Sequence, residues 1–478
     1  MKPRNVLLIC SDEHARSALG CYGHPVARTP VLDQLAGTGV RFTRAYTPSP
    51  ICIPARASLA TGTQVHENRC WSSAEPYHGQ LESWMHRLRG QDHAVVSIGK
   101  LHFRSGADDN GFSEEIAPMY LANDGKGWPQ GLLRSPMTDF PDAADMAIEI
   151  GSGDTSYTDY DREITDEACR WLRHYPKKIS NKPWCLFASF VSPHFPLQAP
   201  EKFYSLYEGS KLPAMIGRGE RERPPHPIVD QMARFWNYDD YFDEETRDIA
   251  RRGYFGLCSF LDDNIRQVMM ALEDSGAAQD TVVIYISDHG EMLGNHGFWA
   301  KSVMYEDSVG VPLIMTGPGI AHGVNDTPVS LTDIAATVED ITGALAGKPQ
   351  GAWQSHSLQQ VIDQPMDDRF IFSEYHDGGS PTGFFMIRQG AWKYVYYAGG
   401  HPVQLFNLDD DPDELNDLGE AARFEDKAAE LHGLLTEILD PEEVNRRAFA
   451  DQAAVIEKFG GVDKVRGMPS FNHTPIGS

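Results

Sequence analysis

The sequence predicts an α/β protein with a large, mostly parallel sheet flanked by helices, followed by a small C-terminal antiparallel sheet with a helix. Short apolar, β-rich runs alternate with helix-like segments through most of the chain, which is typical of a parallel sheet. Near residue 365 the pattern changes to short aromatic runs separated by Gly- and Pro-containing turns. At 478 residues, the chain is long enough for one large domain and a smaller one.

Four apolar runs are the clearest strand candidates of the large sheet. They are NVLLIC (5–10), AVVSI (94–98), WCLFASFV (184–191) and TVVIYI (281–286). Helical segments are predicted between them, for example over 29–35 and over 246–274, where Gly276 provides a stop signal.

The C-terminal part predicts a second, smaller unit. The runs RFIFSEYH, FFMIRQGAWKYVYY and PVQLFNL indicate antiparallel strands, and an amphipathic helix is expected over about 420–439. We therefore predict an α/β catalytic domain over 1–365, a small α+β subdomain over 366–440, and an extended tail over 441–478 that contacts a neighbouring subunit.

Composition excludes some classes of partner. The formal charge is −26, from 42 Lys and Arg against 68 Asp and Glu, so no basic excess is available for nucleic acid or an anionic membrane. A small anionic substrate remains compatible with this charge.

The apolar run before Asp12 is too short for a signal peptide and no later run is long enough to span a bilayer, so we expect a cytoplasmic protein. The seven cysteines are scattered without a CxxC pair, which argues against a disulfide framework or a zinc ribbon.

Each of the four strand candidates runs directly into polar residues. Because ligands bind beyond the carboxyl ends of strands in open α/β sheets, these four clusters are expected to converge on one site. A single aspartate at a strand end is more often a helix cap, but four such clusters together predict a functional site. The clusters are Ser11-Asp12-Glu13-His14, Gly99-Lys100-Leu101-His102, Ser192-Pro193-His194 and Ser287-Asp288-His289-Gly290.

The residue types in these clusters indicate a metal ion beside an anion. Asp12, Asp288 and His289 offer oxygen and imidazole ligands for a divalent cation. Whether Glu13 joins them is open, since adjacent strand residues point to opposite faces unless the chain turns.

Cationic and imidazole side chains supply the other half of the site. Lys100, His102, His194 and Lys301 are donors or proton carriers suited to an anionic group, and Arg56 adds a further donor. A metal beside several cations indicates hydrolysis of a sulfate or phosphate ester.

The nucleophile candidate is Cys52 in SPICIPARASLATG. Neither a GxSxG elbow nor a GxxxxGK[ST] loop occurs in the sequence. Cys52 stands where a helix is predicted to begin, and the helix dipole there favours anions and a lowered thiol pKa. The residues alone leave two interpretations open, a functional residue or a packed core thiol.

The run Cys52-Ile53-Pro54-Ala55-Arg56 resembles the C-x-[PA]-[SA]-R signature of the type I sulfatases of the alkaline phosphatase superfamily. Further motifs in family order extend the resemblance over nearly the whole chain and imply an alkaline phosphatase-like fold and sulfatase activity. They are NVLLICSDEH, YGHPVARTPVLDQLA, SIGKLHF, SPHFPLQAP, ISDHGEMLGNHGFWAKSVMYEDSVGVPLIM and LFNLDDDPDELNDL.

The resemblance also implies a chemistry for Cys52. In this family the cysteine is oxidised by a formylglycine-generating enzyme, and the hydrated aldehyde attacks the sulfur with one hydroxyl while the other later expels sulfate. By the same resemblance, Asp12, Asp288, His289 and residue 52 bind one divalent metal. Ca²⁺ is the common metal of the family, with Mn²⁺ or Mg²⁺ as alternatives.

The remaining roles follow from the matching motifs. Arg56 and Lys100 are implied to hold the aldehyde hydrate, with His102 as its partner or base. His194 and Lys301 are implied to contact the sulfate and the leaving oxygen of a small sulfate ester.

The chain departs from the family pattern at three places. Many members have Asp-Asp in place of Asp12-Glu13, and L-T-G-R in place of Ala60-Thr61-Gly62-Thr63. His289 is similar to the choline-sulfatase and phosphonate monoester hydrolase branches, so a phosphonate monoester or phosphodiester hydrolase stays an alternative. A non-catalytic anion-binding relative is a second one.

Two further expectations concern partners and substrate. The Pro-rich tail resembles that of choline-sulfatase relatives, where the C-terminus reaches an adjacent subunit, which predicts a homodimer or homotetramer. Aromatic residues either pack in the core or form a cation–π site for a quaternary ammonium such as choline. The candidates for such a site are Trp71, Tyr77, Trp128 and Trp299.

Overall fold

The centre of the molecule is an eight-stranded sheet in the computed structural model, which describes residues 2–137, 140–174, 182–218, 222–344, 355–366, 368–470 and 473–476. All neighbouring strands are parallel except that β10 is antiparallel to both of its neighbours. The spatial order is β11 (Gly323–Asn325), β2 (Val40–Phe42), β10 (Leu313–Thr316), β9 (Thr281–Ser287), β1 (Asn5–Asp12), β7 (Cys185–Pro193), β4 (Val95–Lys100) and β5 (Glu114–Met119). The predicted large, mostly parallel sheet is therefore confirmed.

Helices cover both faces of this sheet, as a parallel sheet with apolar strands requires. Leu7 and Ile9 of β1 pack in the cluster formed with α1, α7 and α10, whereas Val6, Leu8 and Cys10 face α2, α4, α12 and α13. These helices are α1 (Pro30–Thr38), α2 (Cys52–Thr61), α4 (Trp84–Arg89), α7 (Ser156–His174), α10 (Glu244–Ser275), α12 (Asp333–Thr342) and α13 (Leu358–Asp363).

Local sequence signals set the ends of the longest helix, α10. Its N-cap Asp243 accepts a hydrogen bond from the backbone N–H of Thr246 at 2.8 Å, and Thr246 Oγ1 accepts one from the Asp243 N–H at 2.8 Å. Gly276 ends the helix with φ +78°, a left-handed conformation that glycine adopts without strain.

Shorter elements connect these layers. Two small parallel pairs are β3 (Ala45–Tyr46) with β12 (Val329–Ser330) and β6 (Ile150–Ser152) with β8 (Leu197–Ala199). The remaining helices before the C-terminal sheet are α3 (Val65–Asn68), α5 (Ala122–Gly125), α6 (Ala143–Ile148), α8 (Glu201–Tyr204), α9 (Pro227–Phe235) and α11 (Glu306–Val309). Among the helices within the described ranges, none is long and apolar enough to cross a membrane.

The predicted C-terminal sheet is also present. It is antiparallel and consists of β13 (Phe370–Tyr375), β14 (Phe384–Gln389), β15 (Trp392–Tyr397) and β16 (Gln404–Asn407), in that spatial order. α14 (Glu425–Ile438) covers one face through Leu431 and Leu435, both fully buried.

The prediction that residues 441–478 are extended is wrong for the first part of that segment. α15 (Pro441–Lys458) follows α14 directly, and α16 (Val462–Arg466) comes after it. The sequence contains a helix-start signal at this point: Asp440 caps the N–H groups of Glu442 and Glu443, with Pro441 at the first helical position. Residues 471–472 and 477–478 of the segment lie outside the described residues, and the division of the chain into domains stays a prediction.

A buried carboxylate on β13 links the small sheet to the segment after α2. Glu374 Oε1 lies 2.8 Å from both the backbone N and the Nδ1 of His66, and its Oε2 lies 2.9 Å from His376 Nε2. Burial alone would raise the pKa of Glu374, but the charge of His66 and the hydrogen bonds from His376 and His66 lower it to about 2.

This contact predicts acid sensitivity of the fold. Because the native pKa of Glu374 is depressed, its stabilising contribution is present above the unfolded pKa of about 4.5 and is lost as pH falls toward 2. We expect Glu374→Gln to lower the unfolding free energy by up to about 3 kcal/mol at pH 7, with the difference from wild type shrinking toward pH 3.

Urea titrations from pH 7 to pH 3 measure this difference. Glu425→Gln, on the exposed first turn of α14, is the matched control and should show no such pH-dependent gap. A gap for Glu374→Gln that stays constant with pH would contradict the prediction.

Candidate active site

The carboxyl ends of β9, β1, β7 and β4 lie side by side in the sheet, because these four strands are spatial neighbours. The polar clusters that follow them therefore meet at one edge. The structure brings together all of the site residues predicted from the sequence, which are Asp12, Cys52, Arg56, Lys100, His102, His194, Asp288, His289 and Lys301.

Four of these residues form a group that can hold a metal ion. One ligand atom each of Asp12, Cys52, Asp288 and His289 lies within 4.8 Å of the other three, and all four residues are buried. His289 Nε2 is 3.1 Å from Cys52 Sγ and 3.5 Å from Asp12 Oδ1. The two carboxylates and the imidazole form a donor set that suits a hard or borderline divalent cation.

Hydrogen bonds to the backbone fix the orientation of His289 and Asp288. Nδ1 of His289 lies 3.0 Å from the carbonyl oxygen of Gly290, so Nδ1–H donates and the lone pair of Nε2 points into the group. Oδ1 of Asp288 accepts from the backbone N–H of Glu13 at 3.2 Å and of His289 at 2.9 Å.

Cys52 is the first residue of α2, at the base of the site. The expectation that the helix dipole lowers the pKa of this thiol is wrong. Burial, followed by the negative charge of Asp12, raises the pKa of Cys52 to about 12 despite the charges of Lys301 and Lys100. Without a bound cation, the side chain of an unmodified Cys52 is therefore a neutral thiol.

Two buried cations lie beside the metal group. Lys100 Nζ donates to Asp12 Oδ2, and Arg56 Nε donates to Asp288 Oδ2 at 2.7 Å. Arg56 Nη1 also donates to the Lys100 carbonyl oxygen at 2.8 Å and to Ser189 Oγ at 2.9 Å. Burial raises the pKa of Asp12, but the charges of Lys100 and other neighbours hold it well below its usual value. The Asp12 carboxyl group is thus ionised.

Glu13, His194 and Lys301 form a second group next to the first. The chain turns at Glu13, where φ is +66°, and Tyr254 fixes the turn by donating to the Glu13 carbonyl oxygen at 2.8 Å. Lys301 Nζ lies 3.0 Å from Glu13 Oε2 and 2.9 Å from His194 Nε2. The Glu13 side chain therefore contacts the Lys301 ammonium group and the buried carboxyl group of Glu291.

The two other histidines of the site are held neutral. His194 Nδ1 donates to the Phe195 carbonyl oxygen at 2.7 Å, so Nε2 accepts from Lys301. Burial and the charge of Lys301 lower the pKa of His194 well below its usual value. Burial and the charge of Lys100 do the same for the pKa of His102, whose two ring nitrogens lack hydrogen-bond partners in the part of the chain that the structure describes.

An aromatic cavity of about 110 Å³ opens above Cys52, His102, His194 and Lys301. Trp128 and Trp299 line it, but the other two residues predicted for a cation site do not. The aromatic lining is formed by Trp128, Phe140, Tyr157, Phe195, Trp236, Tyr238 and Trp299.

Trp71 and Tyr77 pack in the core, which is the other of the two interpretations that the sequence left open for them. Trp71 is fully buried, donates from Nε1 to Asp451 at 2.8 Å and packs edge-on against His376. Tyr77 donates to the Leu81 carbonyl oxygen at 2.7 Å and packs on Phe103.

The end of the chain reaches the cavity within the same subunit. His473 and Thr474 line it, and Tyr157 donates to the Thr474 carbonyl oxygen at 2.8 Å. The His473 and Tyr157 rings lie 5.1 Å apart. The predicted contact of the tail with a neighbouring subunit stays a prediction.

The sequence profile of the sulfatase family matches residues 4–344, and that of the N-sulphoglucosamine sulphohydrolase C-terminal region matches residues 294–440. Choline-sulfatase of Rhizobium meliloti (strain 1021) is 31% identical over 427 residues, which cover 88% of this chain and 83% of that protein. Arylsulfatase K of Danio rerio is 31% identical over 468 residues, with 92% and 85% covered.

Solved structures agree with these matches. A structure described as bound to its substrate, D-glucosamine-2-N,6-O-disulfate, superposes with a TM-score of 0.70 at 21% identity and covers 94% of this chain and 99% of its own. The phosphonate monoester hydrolase of Agrobacterium radiobacter gives a TM-score of 0.69 at 24% identity, covering 91% and 95%. At these identities the superpositions establish the fold alone.

Proposed function

Since the chain belongs to the sulfatase family and hydrolyses sulfuric esters, we propose that its substrate is a small organic sulfate, cleaved through a formylglycine made from Cys52. The observation that carries this proposal is the position of Cys52, at the base of an aromatic cavity and within the group formed by Asp12, Asp288 and His289. The modification replaces the CH₂–SH of Cys52 by an aldehyde: a formylglycine-generating enzyme uses molecular oxygen as the oxidant and two external thiols as the reductant, and the cysteine sulfur leaves as hydrogen sulfide with one water formed.

The residues fit one divalent cation. We propose that Asp12, Asp288, His289 and the modified residue 52 bind Ca²⁺. Mn²⁺ and Mg²⁺ are alternatives, because carboxylate oxygens are suitable ligands for all three cations. When bound, this cation supplies Lewis acidity that draws negative charge from the sulfate oxygens and lowers the pKa of a hydroxyl at residue 52.

The protein's own groups divide the remaining work. Arg56 and Lys100 balance the charge of Asp12 and Asp288 and hold the hydrated residue 52 in place. His102 is neutral with free ring nitrogens, so it can take the proton of the second hydroxyl when sulfate is expelled. Lys301 stabilises the negative charge on the leaving oxygen. His194 orients the Lys301 ammonium group by accepting a hydrogen bond from it at Nε2.

The lining of the cavity indicates the organic half of the substrate. Seven aromatic rings surround the space, and none of the lining residues within the described ranges carries a carboxylate. We propose an aryl group or a quaternary ammonium such as choline, which aromatic faces bind by packing and by cation–π contacts. The similarity to a choline-sulfatase supports the second option.

The assembly and location are proposals of the same kind. We propose a homodimer or homotetramer in which the C-terminal tail contacts an adjacent subunit, in a cytoplasmic protein. The tail residues His473 and Thr474 already line the cavity, so a tail contact would couple assembly to the site.

A phosphonate monoester or phosphodiester hydrolase is the second candidate. His289 in the metal group favours it through the sequence resemblance, and a phosphonate monoester hydrolase is among the similar folds. We expect kcat/KM for 4-nitrophenyl sulfate to exceed that for 4-nitrophenyl phenylphosphonate at least about tenfold, a difference of about 1.4 kcal/mol in transition-state stabilisation. A preference for the phosphonate ester would overturn the sulfate assignment.

The peptide that contains Cys52 tests the modification directly. Its mass after purification from the native host should be about 18 Da below that of the unmodified thiol peptide. The peptides around Cys10 and Cys169, which are also buried thiols, should keep their unmodified masses and serve as internal controls. An unmodified Cys52 in fully active protein would contradict the proposed nucleophile.

A further inference from the structure

A buried carboxylate, Glu291, has no role in the chemistry described above. It lies in the loop between β9 and α11, two residues after His289, and is 2% exposed. Its Oε1 accepts hydrogen bonds from the backbone N–H groups of Leu293 at 2.6 Å and Ala300 at 2.7 Å. Ala300 directly precedes Lys301, so this single oxygen joins both ends of the segment that leads to the lysine.

The segment that Glu291 joins has an unfavourable backbone conformation. Leu293, Ala300 and Ser302 have φ values of +50°, +60° and +82°, in a region that residues with side chains rarely adopt. Such conformations persist only where surrounding contacts fix them. Here two backbone hydrogen bonds close the loop, from Met292 N–H to the Ala300 carbonyl at 2.7 Å and from Gly294 N–H to the Phe298 carbonyl at 2.8 Å.

The loop delivers Lys301 to the site. Lys301 Nζ lies within 3.0 Å of Glu13 Oε2 and His194 Nε2, and the next residue, Ser302, donates its N–H to the Pro50 carbonyl at 3.0 Å. A change in the backbone at Ala300 would therefore move the Lys301 ammonium group relative to the segment from Pro50 to Cys52 and to the substrate.

We propose that Glu291 is a positioning residue for Lys301. Its side-chain Oε1 fixes the left-handed turn at Ala300 by accepting two backbone hydrogen bonds, and the turn aims the Lys301 ammonium at the leaving oxygen. This inference rests on the proposed function of the site, in which Lys301 stabilises the leaving group.

A double-mutant cycle tests the coupling. We expect Glu291→Ala to lower kcat about tenfold while KM changes less than about twofold, because Lys301 acts in the transition state. In a Lys301→Ala background, Glu291→Ala should lower kcat less than about twofold further, since the residue that it positions is already gone. Glu291→Gln should restore kcat to within about threefold of wild type, because an amide oxygen accepts both N–H groups.

Asn295→Ala is the matched control within the same loop. Asn295 accepts from the Ile216 N–H at 2.8 Å and donates to Asp307 Oδ2 at 2.6 Å, so the variant also loses two hydrogen bonds, but at the end of the loop away from Lys301. It should lower the melting temperature with kcat changed less than about twofold.

Kinetics should use the ester, sulfate or phosphonate, that wild type hydrolyses faster. A phosphonate preference would then overturn the sulfate assignment and leave the test of Glu291 intact. Equal losses from Glu291→Ala in the wild-type and Lys301→Ala backgrounds would overturn the positioning role, as would an unchanged kcat in Glu291→Ala. A Glu291→Gln variant as impaired as Glu291→Ala would overturn the role assigned to the two backbone hydrogen bonds.

Discussion

Replacing Cys52 by alanine is expected to lower kcat/KM for an aryl sulfate at least about ten-thousandfold. The variant lacks any side chain that can become the proposed aldehyde, so it loses the nucleophile and one of four metal-group residues together. The alanine side chain occupies less space than the thiol at the first residue of α2, where Cys52 is 6% exposed, so the fold should be retained. Steady-state kinetics and a melting curve measure the two effects separately.

Cys169→Ala is the matched control for this experiment. Cys169 is a similarly buried thiol, 7% exposed, on α7, where its S–H donates to the Gln267 carbonyl at 3.4 Å. Its variant should keep wild-type kcat/KM. If Cys52→Ala retained more than about one hundredth of wild-type activity, the reaction would have to proceed without this residue, for instance by water activated at the metal.

The position of the chemistry was largely predictable from the sequence, for a physical reason. Side chains at the ends of neighbouring parallel strands must meet at one edge of the sheet, and NVLLIC, AVVSI, WCLFASFV and TVVIYI form the neighbouring strands β1, β4, β7 and β9. A short apolar run and the polar residue after it are both local features. Asp12, Lys100, His194 and Asp288 could therefore be placed together without knowing the rest of the fold.

The electrostatics of Cys52 could not be predicted in this way. The helix dipole is a local property, and it predicts a lowered pKa at the first residue of α2. Burial of the thiol and its distance from the charge of Asp12 depend on how α2 packs against β1. These two effects raise the pKa by more than the helix dipole lowers it. The pKa of Cys52 is raised and not lowered because the larger contributions to it come from tertiary packing.

The aromatic cavity escaped prediction for a related reason. Trp236 follows α9 and Tyr238 lies in the short 3-10 helix Asn237–Tyr241 after it, and tertiary packing brings both residues to the cavity. Trp236 and Trp128 have ring centroids 5.6 Å apart, although more than a hundred residues separate them in the chain. Trp71 is much closer to Cys52 in sequence, yet its indole N–H donates to Asp451 and the ring does not line the cavity.

Replacing His289 by alanine is expected to remove the metal and nearly all activity. Its Nε2 is directed into the group by the hydrogen bond from Nδ1 to the Gly290 carbonyl oxygen, and Asp12 and Asp288 lie 3.5 Å and 3.7 Å from it. Loss of a direct ligand should cost more than the roughly 10- to 100-fold typical for an outer-sphere partner of a metal site. We therefore expect kcat/KM to fall at least about a thousandfold, with metal content measured by mass spectrometry far below one ion per chain.

His296→Ala is the matched control, since His296 is a buried histidine of the same loop that stacks on Tyr305 at 4.0 Å and is not part of the metal group. That variant should retain the metal even if its melting temperature falls. Added Ca²⁺ or Mn²⁺ at high concentration should partly restore the activity of His289→Ala, because the carboxylates proposed as ligands, Asp12 and Asp288, are still present and only the metal affinity is reduced. A His289→Ala protein with full metal content and unchanged affinity would show that the imidazole is not a ligand. The role of His289 would then be confined to its 3.1 Å contact with residue 52.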